Sequence, residues 1–301
     1  AEARAAACKG KPQCAISQAA QGRASYTASQ IRETTRQVMS RFTNQVAFIT
    51  GGGTGIGAAV AQQFAAEGGR VVLMGRRLAP LQAVAEPLGG LVAAGDAADT
   101  ADVQRALALA RERYGRIDLL VANAGGHGVG EAAQTDDAAW RLATRVNLDS
   151  AFVCIREALP ELVAQRGSVV VLSSLAGHFA GPAVAGYVTM KHALIGLTRS
   201  VARDYGRHGV RANAVCPGWV RTPMADEQMQ GLVDQHRLAN VEAAYAMVTR
   251  DVPLGRPATA QEVADAVLFL ASPQAAMITG TSLMVDGGAS AVDLPTVAFA
   301  Q

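Results

Sequence analysis

Charged and aromatic side chains are scarce in this chain, and each shortage narrows what it can do. Of 301 residues only 17% are charged, and 27 Lys and Arg against 25 Asp and Glu leave a formal net charge of +2. So even a balance gives no footprint for nucleic acid, which needs basic residues gathered on one face. Hydrophobic residues make up 50% of the chain, yet no apolar run approaches the roughly 20 residues of a membrane-spanning helix, so no membrane partner is expected. Cysteine is confined to Cys8, Cys14, Cys154 and Cys216, and none stands at metal-ligand spacing with the five histidines. The expectation is unpaired thiols in a reducing, cytoplasmic compartment, and no metal site. Residues 1–43 lack a lasting apolar period, and they also lack the apolar core and cleavage site of a secretory signal. They read as a poorly ordered N-terminal extension, and Met39 would make a natural start for the folded part. A domain is expected over 44–290 and a tail over 291–301.

From residue 45 onward, short apolar runs alternate with helical patterns. Candidate strands are 46–50, 70–75, 91–95, 117–122, 168–173, 211–215 and 282–286, and helical stretches lie near 55–68, 78–87, 100–114, 136–164, 185–207 and 260–272. Such alternation means right-handed crossovers and a parallel sheet covered on both faces. The fold class is therefore α/β: one doubly wound (Rossmann) domain of about seven strands, with ligands expected at the carboxyl ends of the strands.

The first strand runs into Thr50-Gly51-Gly52-Gly53-Thr54-Gly55-Ile56-Gly57, and a helix follows. Glycines in this context permit a tight turn, let the backbone approach a pyrophosphate and pack helix against strand. The helix N-terminus then offers free N–H groups and a positive dipole end to phosphates. The second strand ends in Gly75-Arg76-Arg77, where NAD-binding domains usually carry an acid for the ribose hydroxyls. Two guanidiniums there suit a ribose 2′-phosphate instead, or are solvated loop charges; NADP is favoured over NAD.

Tyr187-Val188-Thr189-Met190-Lys191 lies in a helical stretch, so Tyr187 and Lys191 share one face, one turn apart. An ammonium beside a phenol favours its ionised form, which suits the tyrosine to pass a proton to or from an alcohol oxygen. Tyr-x-x-x-Lys alone occurs by chance in many helices. Here the run Val169–Leu172 reads as a buried strand that delivers Ser173 and Ser174 at its carboxyl end, where Ser174 could hold a substrate oxygen. Another strand end carries Val121-Ala122-Asn123-Ala124-Gly125, and a later helix carries Asn147.

With these segments in this order, the chain resembles the short-chain dehydrogenase/reductase family, in its short single-domain branch, over residues 45–288. Ala122 departs from the family's Asn-Asn-Ala-Gly by one residue, while Val285-Asp286-Gly287-Gly288 matches its closing strand and turn. The resemblance implies a nicotinamide dinucleotide held by Gly51, Gly53, Thr54, Gly55, Ile56, Gly57, Arg76 and Arg77. Asp96 and Ala97 would lie at the adenine, with Asn123, Ala124 and Gly125 further along. Tyr187, Lys191, Pro217, Gly218, Val220 and Thr222 would lie at the nicotinamide end. It also implies Tyr187 as general acid and base, Lys191 on the nicotinamide ribose, Ser174 polarising the carbonyl, and Asn147 holding a water that leads to solvent. A small carbonyl or alcohol substrate and a homo-oligomer, a dimer or tetramer, are implied as well. The function expected is hydride transfer between nicotinamide and a ketone or secondary alcohol. The alternatives are reduction of a 3-oxoacyl thioester on an acyl carrier protein, and a non-catalytic dinucleotide sensor. His127 and His178 either line the pocket or are loop histidines, and Trp219 is a pocket wall or simple packing. Residues 223–250, with Met224, Met229, Leu232, Leu238 and Met247, read as a lid, which suits a medium-sized, partly apolar substrate.

Overall fold

In the computed structural model the described residues are 40–299; the expected extension lies outside them up to residue 39. Residues 40–43, read from sequence as part of that extension, pack on the domain. Phe42 is fully buried and stacks on Phe64 at 4.5 Å, and the Arg41 guanidinium donates to Glu67 at 2.6 Å.

Strands β1 (Val46–Thr50), β2 (Arg70–Gly75), β3 (Leu91–Ala94), β4 (Leu119–Ala122), β5 (Ser168–Leu172) and β6 (Arg211–Pro217) are followed by two short ones, β7 (Val220–Arg221) and β8 (Ala258–Thr259), and by β9 (Ser282–Val285). Seven of them form a parallel sheet in the order β3-β2-β1-β4-β5-β6-β9, and β7 pairs with β8. The helices are α1 (Gly55–Ala66), α2 (Leu78–Leu88), α3 (Thr100–Tyr114), α4 (Asp137–Thr144), α5 (Ser150–Gln165), α6 (Ala185–Tyr205), α7 (Pro223–His236), α8 (Val241–Val248) and α9 (Ala260–Ala271).

Side chains alternate between two cores, as the two-residue period of a strand requires. Val46 and Phe48 of β1 join α3, α5 and α6 in one core, and Ala47 and Ile49 join α1, α2 and α9 in the other. A sheet buried on both faces must be apolar nearly throughout, which is why β1, β4 and β5 read as unbroken apolar runs rather than alternating ones. Each large side chain so buried contributes about 1.5–3 kcal/mol, an upper bound set by the extended-chain reference. The chain turns one way from β1 to β2 and later the other way to β4, which opens a crevice at their carboxyl ends.

The stretch 136–164 is not one helix. A single π-turn, Arg145–Asp149, separates α4 from α5, and the Ser150 N–H reaches back to the Arg145 carbonyl. Apolar periodicity does not register such a turn, because the buried positions 143, 147, 150, 151, 154 and 158 keep three- and four-residue spacing through it; π-turns of this kind gather at functional sites. No described helix is long and apolar enough to cross a membrane.

Candidate active site

The carboxyl end of β1 is tied to that of β4 by main-chain and side-chain bonds. Thr50 Oγ1 accepts the N–H groups of Asn123 and Ala124, each at 3.0 Å, and Asn123 Nδ2 donates to the carbonyls of Thr50 at 2.9 Å and Gly51 at 3.2 Å. Asn123 therefore works as a brace across the crevice. The glycine loop is pressed onto that brace: a Cβ on Gly57 would lie 2.4 Å from the Gly51 carbonyl oxygen and 2.7 Å from Asn123 Nδ2. Gly53 rests on Pro80 and Leu81, Ile56 packs on the α1 side of the sheet, and Gly55 lies against Thr222. Thr54 at the head of α1 makes no side-chain cap, and the first turn holds no acid. The uncapped N–H groups and the positive end of the helix dipole thus face the crevice, and these residues fit a pyrophosphate.

At the adenosine end, Arg76 and Arg77 are exposed beyond β2. Asp96 follows β3, with Ala97 nearly buried beside it. Asp96 Oδ1 accepts the Ala98 N–H at 2.9 Å, and Oδ2 accepts Arg145 Nη2 at 2.8 Å. Partial burial works to raise the Asp96 carboxyl, but the Ala98 and Arg145 bonds, with the fields of Arg145 and Arg76, outweigh it and hold the group below its ordinary range.

The chemical end is built where β4, β5 and α6 meet. Lys191 is 5% exposed, and its Nζ donates to the Leu172 carbonyl at 2.8 Å and stands 5.5 Å from the Tyr187 ring centroid. An ammonium carries three donors, so two are left, and Gly125 lies close by: a Cβ there would stand 3.5 Å from Nζ and 3.2 Å from Asn147 Oδ1. Asn147 is fully buried on the π-turn; its Nδ2 donates to Gly126 O at 2.6 Å and Ala143 O at 2.9 Å, and its Oδ1 accepts the Gly126 N–H at 3.0 Å. Ser174 Oγ accepts the Ala176 N–H at 3.1 Å, which fixes the hydroxyl at the end of β5. The four residues Ser174, Tyr187, Lys191 and Asn147 are thus gathered at one end of the sheet.

At the end of β6, Pro217 pairs with Val285 of β9, the Gly218 N–H that follows donates to the Val285 carbonyl at 3.1 Å, and Val220 is buried in β7. Thr222 Oγ1 accepts the Ala225 N–H at 3.2 Å and so caps α7. Helices α7 and α8 form a small unit of their own around buried Met229 and Tyr245. Burial, and then the neighbouring Asp226 carboxylate that accepts its hydroxyl at 2.8 Å, push the Tyr245 phenol up from its ordinary value. A cavity of about 130 Å³ is lined by Leu175, Trp219, Val248, Val252 and Asp286, and Trp219 is part of its wall. His127 and His178 are exposed.

Sequence reasoning singled out Gly125 and His127 but missed Gly126, Gly128 and Gly130, which complete a run that props the head of α6. Gly128 O accepts the Tyr187 N–H at 3.0 Å, Gly130 N donates to Ala183 O at 2.7 Å, and Met224 of α7 rests on Gly126. The alternation Gly126, Gly128, Gly130 was the available signal. Arg145 was missed as well, because its partner is 49 residues away.

A doubly wound dinucleotide fold with these groups at its switch point defines the class. A family model described as Enoyl-(Acyl carrier protein) reductase matches residues 51–290. Protein MoaE of Klebsiella aerogenes is 50% identical over 260 residues, 85% of this chain and 99% of its own. The 2-(S)-hydroxypropyl-CoM dehydrogenase 3 of Xanthobacter autotrophicus is 38% identical over 84% of this chain and 99% of its own. Among solved structures, an actinorhodin polyketide ketoreductase with NADPH superposes with a TM-score of 0.77 at 32% identity, over 82% of this chain and 98% of that one. The chain belongs to the short-chain dehydrogenase/reductase family and is a nicotinamide-dependent oxidoreductase acting on alcohol and ketone carbons.

Proposed function

We propose that this chain is an NADP(H)-preferring dehydrogenase or reductase of ketones and secondary alcohols, with Tyr187 as its general acid and base. The observation that carries the reading is the buried Lys191 ammonium, held on the Leu172 carbonyl at 2.8 Å and standing 5.5 Å from the Tyr187 ring. A buried cation costs several kcal/mol unless something uses it. Here it stabilises negative charge on the phenol oxygen as the proton leaves, and its free donors suit a ribose. In reduction the Tyr187 O–H gives its proton to the carbonyl oxygen, and in oxidation the same oxygen takes it back. Ser174 donates a hydrogen bond to that carbonyl oxygen. Asn147 holds the Gly126 loop, and its second Oδ1 lone pair is open to a water leading from Lys191. When bound, the nicotinamide supplies or accepts the hydride.

Exposed Arg76 and Arg77, with no acid at the end of β2, support a 2′-phosphate and hence NADP. A cytoplasmic homo-oligomer, a dimer or tetramer, is the setting we propose. The free, buried thiols of Cys154 and Cys216 support the compartment, and the exposed apolar Leu109 and Phe152 support the assembly. The description of the matching family model favours a second reading, reduction of an acyl thioester carried on an acyl carrier protein.

The test is turnover with NADPH and NADH side by side, across ketones, secondary alcohols and 3-oxoacyl thioesters. Turnover favouring NADPH on ketones is expected, and Tyr187→Phe should lose about 100- to 10,000-fold while still binding cofactor. Retention of turnover within about tenfold by Tyr187→Phe would remove the tyrosine from the mechanism.

A further inference from the structure

Arg145 opens the π-turn and reaches Asp96 with two donors, Nη2 at 2.8 Å and Nε at 3.2 Å, both on Oδ2. The other oxygen of that carboxylate accepts the Ala98 N–H at 2.9 Å, and Asp102 of α3 holds the Asp96 N–H at 2.8 Å. The Asp96 side chain therefore cannot swing away, and its charge is met by a guanidinium from a separate element.

Asp96 also stands next to the residues that would choose the cofactor. The ends of β2 and β3 are in register at Gly75 and Ala94, and the Gly95 N–H donates to the Gly75 carbonyl at 3.0 Å, one residue before Arg76. The field of Arg76 is felt at Asp96. A carboxylate this close to Arg76 would compete for it and repel a phosphate held there. Other acids nearby are Asp102, which is paired with Arg105, and Asp99 and Asp149, whose fields act on Arg145.

We propose that Arg145 is a specificity-determining residue that acts through Asp96: by pairing with that carboxylate it cancels the negative charge beside Arg76 and Arg77, leaving them unopposed toward a ribose 2′-phosphate. This rests on the NADP reading above. Arg145 acts at a distance from the chemistry, so it is a positioning residue and changes which cofactor binds rather than how the hydride moves.

The experiment is calorimetric binding of NADP+ and NAD+ to the full chain, as wild type, Arg145→Leu, Arg145→Lys, Asp96→Asn and the Asp96→Asn/Arg145→Leu double variant. Arg145→Leu should lower the ratio of the NAD+ to the NADP+ dissociation constant by about three- to tenfold, the range for one solvent-exposed charge acting on a nearby phosphate. Arg145→Lys keeps the charge and should hold the ratio within about twofold. In the Asp96→Asn background the Arg145→Leu effect on the ratio should vanish, which a merely structural role does not require. An equal loss for both cofactors, or an undiminished effect in that background, overturns the inference. The change in ratio reads Arg145 whatever the wild-type ratio is, so a wild type that prefers NAD+ overturns the NADP reading separately.

Discussion

Gly128 is the position where a single methyl should damage both the fold and the chemistry. Its φ is +104°, and a Cβ there would lie 2.5 Å from the Tyr187 amide nitrogen and 3.0 Å from the Gly186 carbonyl carbon. Gly128→Ala therefore meets two costs at once. Holding alanine in that backbone region costs about 1–3 kcal/mol, and forcing a methyl against main-chain atoms costs about 1–3 kcal/mol more. Their sum, about 2–6 kcal/mol, is a large part of a typical 5–15 kcal/mol stability. For a domain of this size it corresponds to a melting point lower by roughly 5–20 °C. Relief requires the head of α6 to retreat by about 1 Å, and misplacement on that scale costs on the order of 100-fold in rate. Calorimetric melting and steady-state kcat measure the two effects. Gly196→Ala is the control: it lies on the same helix with no heavy atom within 4 Å of its Cβ position, so it should be neutral or stabilising by up to about 1 kcal/mol. A Gly128→Ala protein that melts within about 2 °C of wild type and keeps kcat within about threefold refutes the reasoning.

Three further outcomes are expected. Glu262 accepts from Arg256 and closes the capping box of α9 with Thr259, and these bonds hold its carboxyl down at about 2 against an ordinary 4.5. A depressed carboxylate stabilises fully above its unfolded value and is lost as pH falls toward its folded one. Glu262→Gln should thus cost about 1 kcal/mol at neutral pH, discounted for exposure, with the gap narrowing in denaturant melts from pH 5 to pH 3; a gap that stays constant over that window contradicts it. Phe42→Ala empties a fully buried site against Phe64 and should lower stability by about 3–5 kcal/mol, whereas a truncation beginning at Ser40 keeps that contact and should melt as the full domain does. Burial pushes the Cys154 thiol up to about 12, so peptide mapping after alkylation of the folded protein at pH 8 should find it unmodified; rapid labelling there would mean the α5 face opens.

Strands β1, β4 and β5 were legible because each is a short apolar run at whose carboxyl end a polar residue stands: Thr50 closing β1, Asn123 after β4, Ser173 and Ser174 after β5. Burial on both faces leaves no room for polar interruption, so sequence and sheet coincide there. Boundaries failed where a contact far along the chain decides them. Phe42 belongs to the domain because Phe64 and Glu67 receive it and its neighbour, and nothing local to residue 42 says so. The π-turn failed for a different reason: widening one turn shifts Asn147 so that its amide bonds Gly126, while the apolar stripe on either side stays in phase. Arg145 drew no notice because a salt-bridge partner 49 residues away leaves no trace in spacing.

Tyr187 and Lys191 share a helix face by sequence alone, but a helix does not choose where its face points. Three anchors choose it here. The Ser173 hydroxyl donates to the Lys191 carbonyl at 2.8 Å, Lys191 Nζ donates to the Leu172 carbonyl at 2.8 Å, and the Tyr187 N–H donates to the Gly128 carbonyl at 3.0 Å. Each uses a main-chain atom on at least one side, so none requires a particular residue type at the partner position, and composition cannot reveal them. Two anchor to the end of β5 and one to the loop after β4, the strand that borders the crevice opposite β1. Helix α6 is therefore registered directly to the carboxyl end of the sheet. Misplacement by about 1 Å costs on the order of 100-fold in rate, and a helix fixed by one main-chain bond and two side-chain-to-main-chain bonds at the edge of the crevice is held against it. Helices α7 and α8 share none of these bonds and touch the loop through Met224, so on the proposed mechanism substitutions within that pair should leave the placement of Tyr187 and Lys191 unchanged.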